Sequence, residues 1–222
     1  MALSQHDIVR TATALLREQG LEGVTFRKIA RELGVTAPTL YWHVDSKRVL
    51  LDLVAEELVR QQRTGLLDEP AHGQPWWEWL EARSQALFDA LVDTRDAPAV
   101  LAGNRPSAES LPGLEKVLET LVTVGIPPAD AQQSLFAIGA YVIGSATEWQ
   151  AETARAADSP AGDAALALAL REGDYPTLTD AFTGMQAQPP RATFEFGLRL
   201  IIDAMRARYA AESLDPVRSL RA

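Results

Sequence analysis

The chain has 222 residues, 47% hydrophobic and 23% charged, which is typical of a globular protein, and its lack of cysteine excludes disulfides and thiolate metal sites. Its longest uncharged run, residues 131–147, is shorter than the ~20 apolar residues of a membrane span, and the N-terminus has no apolar signal region, so we expect a cytoplasmic protein. The net charge is −9, but residues 1–48 carry seven Lys/Arg against five Asp/Glu, which suits a chain that meets a polyanion at one end only.

Helical spacing of apolar residues begins near the N-terminus. Ser4 and Asp7 form a capping-box pattern that opens the first helix, and Gly20 ends it. Thr25 is positioned to cap a second, short helix over residues 26–33. No stretch of the chain alternates as a strand does, so the sequence predicts an all-α fold.

A tight turn and a third helix follow. Gly34 permits the turn, Thr36 is positioned as a cap, and Pro38 falls in the first turn, where a missing N–H costs nothing. We expect this helix to be only about seven residues long. A fourth helix starts near Ser46. Two short helices joined by a glycine turn and flanked by supporting helices form a helix-turn-helix unit.

The Gly- and Pro-containing stretch 64–75 marks a domain boundary. Beyond it, apolar spacing predicts helices over 76–94, 98–103, 111–124, 128–155 and 191–211. Residues 156–190 are rich in Ala, Asp, Gly and Pro, and we expect a mobile segment with one short helix over 164–171. The predicted organisation is a DNA-binding head over 1–48, a linking helix over 46–63, a helical ligand-binding and dimerisation body over 64–211 and a tail over 212–222.

The most informative segment is 25–51, TFRKIARELGVTAPTLYWHVDSKRVLL. The runs LGV and TLYWHV, with the Lys that follows, closely resemble the DNA-binding domain of the TetR family of bacterial regulators. Polar and aromatic side chains on so short a helix suit contacts to phosphates, sugars and base edges. The resemblance implies that bases are approached by Arg27, Pro38 and Thr39, and that phosphates are bound by Tyr41, His43 and Lys47; Ala37 and Trp42 complete the predicted surface.

An alternative is that Tyr41, Trp42 and Val44 form the core of the small domain, and part of Trp42 is expected to be buried. Two positions also depart from the tetracycline-repressor class of the family. Ala37 replaces a base-reading amide, and Phe26 replaces a phosphate-contacting hydroxyl. Because alanine offers only a methyl group to a base, we expect a different operator.

The same resemblance, looser in the body, places an effector pocket on Arg63, Arg83, Leu87, Leu101, Asn104 and Val117. Leu101 replaces the class's metal-binding histidine, and Glu148 alone makes no site, so we expect no metal and an effector other than magnesium–tetracycline. Arg83 interrupts an apolar stripe. It is either a partner for an acidic ligand or a cation that snorkels or forms an internal ion pair, and the second interpretation is favoured.

Catalysis finds little support in the sequence. The histidines His6, His43 and His72 lie in different predicted elements without metal-ligand spacing. There is no nucleophile elbow and no phosphate-binding loop. We expect no enzymatic activity, no catalytic residue and no cofactor.

The helices over 128–155 and 191–211 are predicted to form a four-helix bundle in a homodimer. Small residues, including Ala140 and Gly144, would let two backbones approach, and an apolar stripe would supply the bulk through Leu198, Ile201, Ile202 and Met205. The alternative is that both helices pack inside one subunit.

The sequence thus predicts a ligand-responsive transcriptional regulator. A repressor is favoured, binding a palindromic double-stranded DNA operator as a dimer and released by a small molecule. Alternatives are an activator of the same family, or a non-catalytic ligand-binding or adaptor protein whose head does not bind DNA.

Overall fold

The computed structural model describes residues 3–62, 69–158 and 161–212. Within these ranges the chain is helical and contains no strand. The helices are α1 Gln5–Gln19, α2 Phe26–Leu33, α3 Ala37–Tyr41, α4 Lys47–Gln62, α5 Trp76–Asp93, α6 Ala97–Leu101, α7 Leu111–Thr123, α8 Pro128–Asp158, α9 Ala161–Glu172, α10 Pro176–Gln186 and α11 Ala192–Glu212. None of the described helices is both long and apolar enough to cross a membrane.

The head folds as its local sequence signals predict. The Ser4 hydroxyl accepts a hydrogen bond from the Asp7 backbone N–H (3.2 Å), and the Asp7 carboxylate accepts from the Ser4 N–H (3.2 Å), which completes the capping box. The Ser4 hydroxyl and backbone together hold the pKa of the Asp7 carboxyl below its usual range. The Thr25 hydroxyl caps α2, and Gly34 ends it in the left-handed region at φ 67°.

Helix α3 is shorter than predicted, with five residues. The Thr36 side chain makes no capping bond to its backbone; its hydroxyl lies 2.9 Å from the Thr39 hydroxyl instead. Leu40 and Val44 hold the helix to the head core through full burial. Since so short a helix cannot be stable alone, these two anchors fix its position.

The body is built around α8. Its inner residues Ala131, Ile138, Val142 and Ala146 are buried, and the helix packs against α5, α6, α7 and α11. An aromatic cluster joins three of these helices, because the Phe88 ring stacks on Phe194 (3.9 Å between centroids) and meets Trp149 edge-on at 5.8 Å. The large ring area buried here makes the cluster a main contribution to the body core.

The prediction for residues 156–190 is wrong in its helix content. Helix α8 runs on to Asp158, and two helices, α9 and α10, follow where one short helix was expected. The Ala- and Leu-rich run within 164–170 has high helix propensity, and the Gly and Pro residues fall between the helices. Gly173, Pro176 and Pro189 therefore mark helix ends, although their abundance suggested an irregular segment.

Head and body are joined at Asp96, between α5 and α6. Asp96 has φ 59°, and it is the one residue other than glycine with positive φ in the described part of the chain. Its carboxylate accepts a hydrogen bond from the Leu21 N–H of the head (2.8 Å), and its own N–H donates to Gln150 of α8 (3.1 Å). The Gln150 amide in turn donates to the carbonyls of Leu91 and Thr94.

A second connection runs along α4. The Arg48 guanidinium donates to the Gly103 carbonyl (2.7 Å) and pairs with Asp52 at 2.6 Å. Further along, the Glu56 carboxylate accepts from the Ser107 hydroxyl (2.8 Å) and backbone N–H. The stretch that follows α6 is thereby held against the helix that leaves the head.

Candidate nucleic-acid interface

The outward face of α3 carries aromatic side chains that are free of the head core. The Tyr41 side chain is 52% exposed, and Trp42 is 89% exposed. The expectation that part of Trp42 is buried is therefore wrong, whereas Val44, weighed as core with it, is buried. Trp42 follows the last residue of a five-residue helix, so it points away while Leu40 and Val44 turn inward.

An exposed tryptophan is unusual for a residue that is among the largest hydrophobic side chains. Together with Tyr41 it forms an amphipathic surface that can pack on deoxyribose and base edges and donate hydrogen bonds.

The residues predicted to bind phosphates lie around the turn between α3 and α4. Lys47 is exposed and is the first residue of α4, where helix N-terminal N–H groups favour anions. His43 is half-buried, and its carbonyl accepts a hydrogen bond from the Gln5 side chain (3.1 Å), which ties this turn to the start of α1. A cationic side chain beside a helix N-terminus is suited to a phosphate oxygen.

The residues predicted to approach bases differ in exposure. Arg27, the second residue of α2, and Pro38 are exposed, whereas Thr39 is half-buried beside Thr36. Ala37 is also half-buried and packs on the head core. Only a small methyl surface is therefore available at Ala37, and Arg27 is the long hydrogen-bond donor of the set.

The structure adds a contact that pattern analysis missed. The Phe26 ring stacks on the Tyr41 ring with 4.5 Å between centroids and 23° between planes. The first residue of α2 therefore touches the last residue of α3. The signal that could have found it is the aromatic residue at position 26, which was interpreted from the sequence as the replacement of a phosphate-contacting hydroxyl.

The residues predicted for an effector pocket lie on α5, on α7 and around α6. Leu87, Leu101 and Asn104 are half-buried and Val117 is buried, while Arg63 lies outside the described residues. The Arg83 guanidinium lies over the Trp79 ring at 5.0 Å, a cation–π contact that neither earlier interpretation included. The Asn104 amide oxygen is buried and has no hydrogen-bond partner in the described part of the chain.

The residues predicted for a dimer interface divide into two sets. Ala140 and Gly144 are exposed on α8, and Ile201 is half-buried on α11. Leu198, Ile202 and Met205 are buried within the single chain, and of these three Met205 also lines the open groove between α8 and α11. Leu198 and Ile202 therefore do not face outward. An apolar periodicity does not say which neighbour covers it, and the interface itself stays a prediction.

A different surface of the same two helices is open. Phe136 on α8 is 76% exposed, and Leu200 on α11 is 57% exposed. A groove of about 500 Å³ lies between the same two helices. Residues of α8 and α11 line this groove, among them Gln133, Ala137, Leu200, Ile201 and Ala204. Among the described residues, no group of three or more His, Asp or Glu side chains is placed to hold a metal ion.

Fold and surface together define a helix-turn-helix DNA-binding protein with a helical body. The family model "Bacterial regulatory proteins, tetR family" matches residues 8–54, and "Tetracyclin repressor-like, C-terminal domain" matches residues 69–209. The chain therefore belongs to the TetR family, and it is a ligand-responsive transcriptional regulator.

Similar proteins span nearly the whole chain. The class A tetracycline repressor of transposon 1721 from Escherichia coli is 32% identical over 206 residues, 93% of this chain and 92% of that protein. An HTH-type transcriptional regulator from Saccharopolyspora erythraea is 33% identical over 215 residues, 95% of this chain and 87% of that protein.

Solved structures agree on the fold. A TetR variant from Acinetobacter baumannii in complex with minocycline superposes with a TM-score of 0.76 at 29% identity, covering 94% of this chain and 96% of that one. Apo ActR from Streptomyces coelicolor reaches 0.80 at 24% identity, covering 96% and 99%, and supports the fold alone.

Proposed function

We propose that the chain is a repressor that binds a near-palindromic DNA operator as a homodimer and is released by a small organic molecule. The observation that carries the proposal is the exposed aromatic face of α3, held on the head by buried Leu40 and Val44. A solvent-exposed tryptophan beside a half-exposed tyrosine has no packing role in the single chain. We therefore infer that this face of α3 binds DNA.

Within this proposal the head is residues 1–48, the linking helix 46–63, the body 64–211 and the tail 212–222. Arg27, Ala37, Pro38 and Thr39 approach bases, Tyr41, His43 and Lys47 bind the backbone, and Trp42 packs on the groove wall. The protein acts in the cytoplasm by binding alone, without cofactor, metal or catalysis.

The route from effector to head runs through α4. Arg48 and Glu56 hold the stretch after α6 through Gly103 and Ser107, and Asn104 lies in that same stretch. A ligand that shifts this stretch therefore shifts α4 and the spacing of two heads in a dimer. Release is then a population shift toward a state whose heads no longer match successive major grooves, about 34–36 Å apart.

The proposed dimer uses the outer face of α8 and α11. Ala140 and Gly144 let the backbones of two α8 helices approach, and Phe136, Leu200 and Ile201 provide apolar area. Leu198, Ile202 and Met205 support this face from inside the subunit. Helices α9 and α10 also carry exposed apolar side chains, which are further area that a second copy could cover.

The proposed effector binds near Arg83, Leu87, Leu101, Asn104 and Val117. The relatives named for tetracycline suggest a polycyclic organic ligand, but Leu101 cannot coordinate magnesium. The unpartnered Asn104 oxygen favours a ligand that brings a hydroxyl or amide donor.

We expect magnesium with tetracycline to leave the DNA complex intact at micromolar concentration, as measured by fluorescence anisotropy. A class A tetracycline repressor on its own operator is the positive control, and release of our protein would contradict the proposed pocket chemistry.

Selection from random DNA duplexes tests the function. We expect the purified protein to enrich a near-palindromic sequence, and a reporter carrying that sequence at a promoter to be repressed. Activation of the reporter would establish an activator instead. Absence of any enrichment would favour a non-catalytic ligand-binding or adaptor protein, in which the exposed face of α3 serves another partner.

A further inference from the structure

The contact between Phe26 and Tyr41 joins the free ends of the two helices in the helix-turn-helix unit. At the turn, the helices are connected by Gly34 and by the hydrogen bond from the Val35 N–H to the Ala30 carbonyl (3.0 Å). At the opposite end of the pair, the two rings stack with their centroids 4.5 Å apart. The Thr25 cap fixes the first turn of α2, and therefore the backbone position from which the Phe26 side chain extends.

The two rings have different environments. Phe26 is half-buried and packs on the head core, whereas Tyr41 is 52% exposed. A tyrosine on a five-residue helix would otherwise be free to change its rotamer, and fixing it on binding would weaken the complex. A stacked aromatic neighbour removes that freedom before DNA arrives, and offset stacking is the favoured geometry for such a pair.

We propose that Phe26 is a positioning residue for DNA binding: its ring holds the Tyr41 phenol so that the hydroxyl faces the DNA backbone. Phe26 has no hydrogen-bond donor, so its contribution acts through Tyr41. The proposal rests on the DNA-binding role proposed above. A purely packing role for Phe26 would stabilise the head without any dependence on the Tyr41 hydroxyl, and this difference can be measured.

The test is a double-mutant cycle on the full-length protein with a duplex enriched by the protein itself. Phe26→Leu removes the stacking face but keeps apolar volume, and Tyr41→Phe removes only the hydroxyl. We expect Phe26→Leu to weaken binding about fivefold when Tyr41 is present. Tyr41→Phe alone should weaken DNA binding about tenfold. In that background, adding Phe26→Leu should weaken binding by less than about 1.5-fold further.

Two further variants separate positioning from stability. Phe26→Tyr keeps the ring face, and we expect it to bind within about twofold of the wild type. Val9→Ala removes buried apolar volume from α1, and any loss it causes should be the same with and without the Tyr41 hydroxyl. The salt dependence should be unchanged by Phe26→Leu, because no cation is removed. Should Phe26→Leu fail to fold, Phe26→Met takes its place in the cycle.

The outcomes are distinct. Equal loss from Phe26→Leu in both backgrounds would make Phe26 a packing residue and overturn the inference while leaving the regulator intact. Failure of the wild-type protein to bind any duplex would overturn the proposed function and this inference together. Coupling confined to the Phe26–Tyr41 pair, absent for Val9→Ala, would establish the positioning role.

Discussion

At the scale of single residues, the proposed complex gives Lys47 and Tyr41 two different kinds of contact with DNA. The Lys47 ammonium is a charge at the first residue of α4, so in the proposed complex it would displace a counterion from a phosphate. The Tyr41 hydroxyl is neutral, so its contribution to binding depends on its orientation toward an acceptor. Salt dependence therefore distinguishes the two residues even when their loss weakens binding to a similar extent.

For Lys47→Ala we expect the slope of log affinity against log salt to fall in magnitude by about 0.9, one phosphate contact, with similar weakening on all duplexes. Tyr41→Phe should leave the slope unchanged. Lys116→Ala is the matched control, since it removes the same charge from an exposed position on α7 of the body. Measurement is by anisotropy titration at several salt concentrations. Unchanged slope and affinity for Lys47→Ala would show that this lysine does not contact a phosphate.

Sequence patterns predicted which residues form this face but not how they are arranged. The motif around 39–44 identified Tyr41 and Trp42, yet the exposure of Trp42 depends on where a five-residue helix ends. The Phe26–Tyr41 stack depends on the angle between two helices, which a one-dimensional periodicity does not contain. Local capping signals at Ser4 and Thr25 were predictable because both partners lie within one turn.

At the scale of elements, the turn that follows α1 is joined to the start of α6 and to α8 by hydrogen bonds between distant parts of the chain. Asp96 adopts a left-handed conformation that costs most residues energy but that Asp and Asn tolerate. This conformation lets it bond Leu21 and Gln150 at once. No sequence pattern predicted this link, because its two bonds join residues that are 75 and 54 positions apart.

We expect Asp96→Ala to lower the free energy of unfolding by about 1–2 kcal/mol, because the Leu21 N–H loses its acceptor and alanine is strained at positive φ. Asp96→Asn keeps an acceptor oxygen and should lose less than half as much. Asp180→Ala, which removes the same side chain from an exposed position on α10, is the control. Denaturant unfolding gives the energies, and hydrogen exchange at the Leu21 amide reports the local bond. Equal losses for the Ala and Asn variants would show that the acceptor is not what matters.

At the scale of the whole molecule, a small head gains specificity when two copies bind at once. One recognition helix of five residues contacts few base pairs, whereas a two-fold dimer doubles the site and fixes its spacing. The acidic body repels DNA, so binding is confined to the heads. In the proposed dimer the face through which the bodies pair sets the spacing of the two half-sites, whereas the bases within each half-site are read by the head.

We expect the double substitution Phe136→Glu with Leu200→Glu to give monomers of about 24 kDa by light scattering. Both side chains are exposed in the single chain, so the charges cost little in folding, whereas burying them unpaired in the interface would be prohibitive. Operator affinity should fall about 100-fold or more, because the second head no longer binds as part of the same complex. Ile202 is unsuitable for this test, since it is buried and a charge there would unfold the body.

The matched control is Leu111→Glu with Leu114→Glu on α7, which adds the same charge at exposed leucines that do not line the groove between α8 and α11. This variant should remain dimeric and keep its operator affinity. If the Phe136 and Leu200 variant folded normally and stayed dimeric, the interface would lie on another face. If it became monomeric yet bound a palindromic duplex as tightly as the wild type, a single head would account for binding. The link between pairing and specificity would then be wrong, because two coupled half-sites cannot lose their coupling without losing affinity.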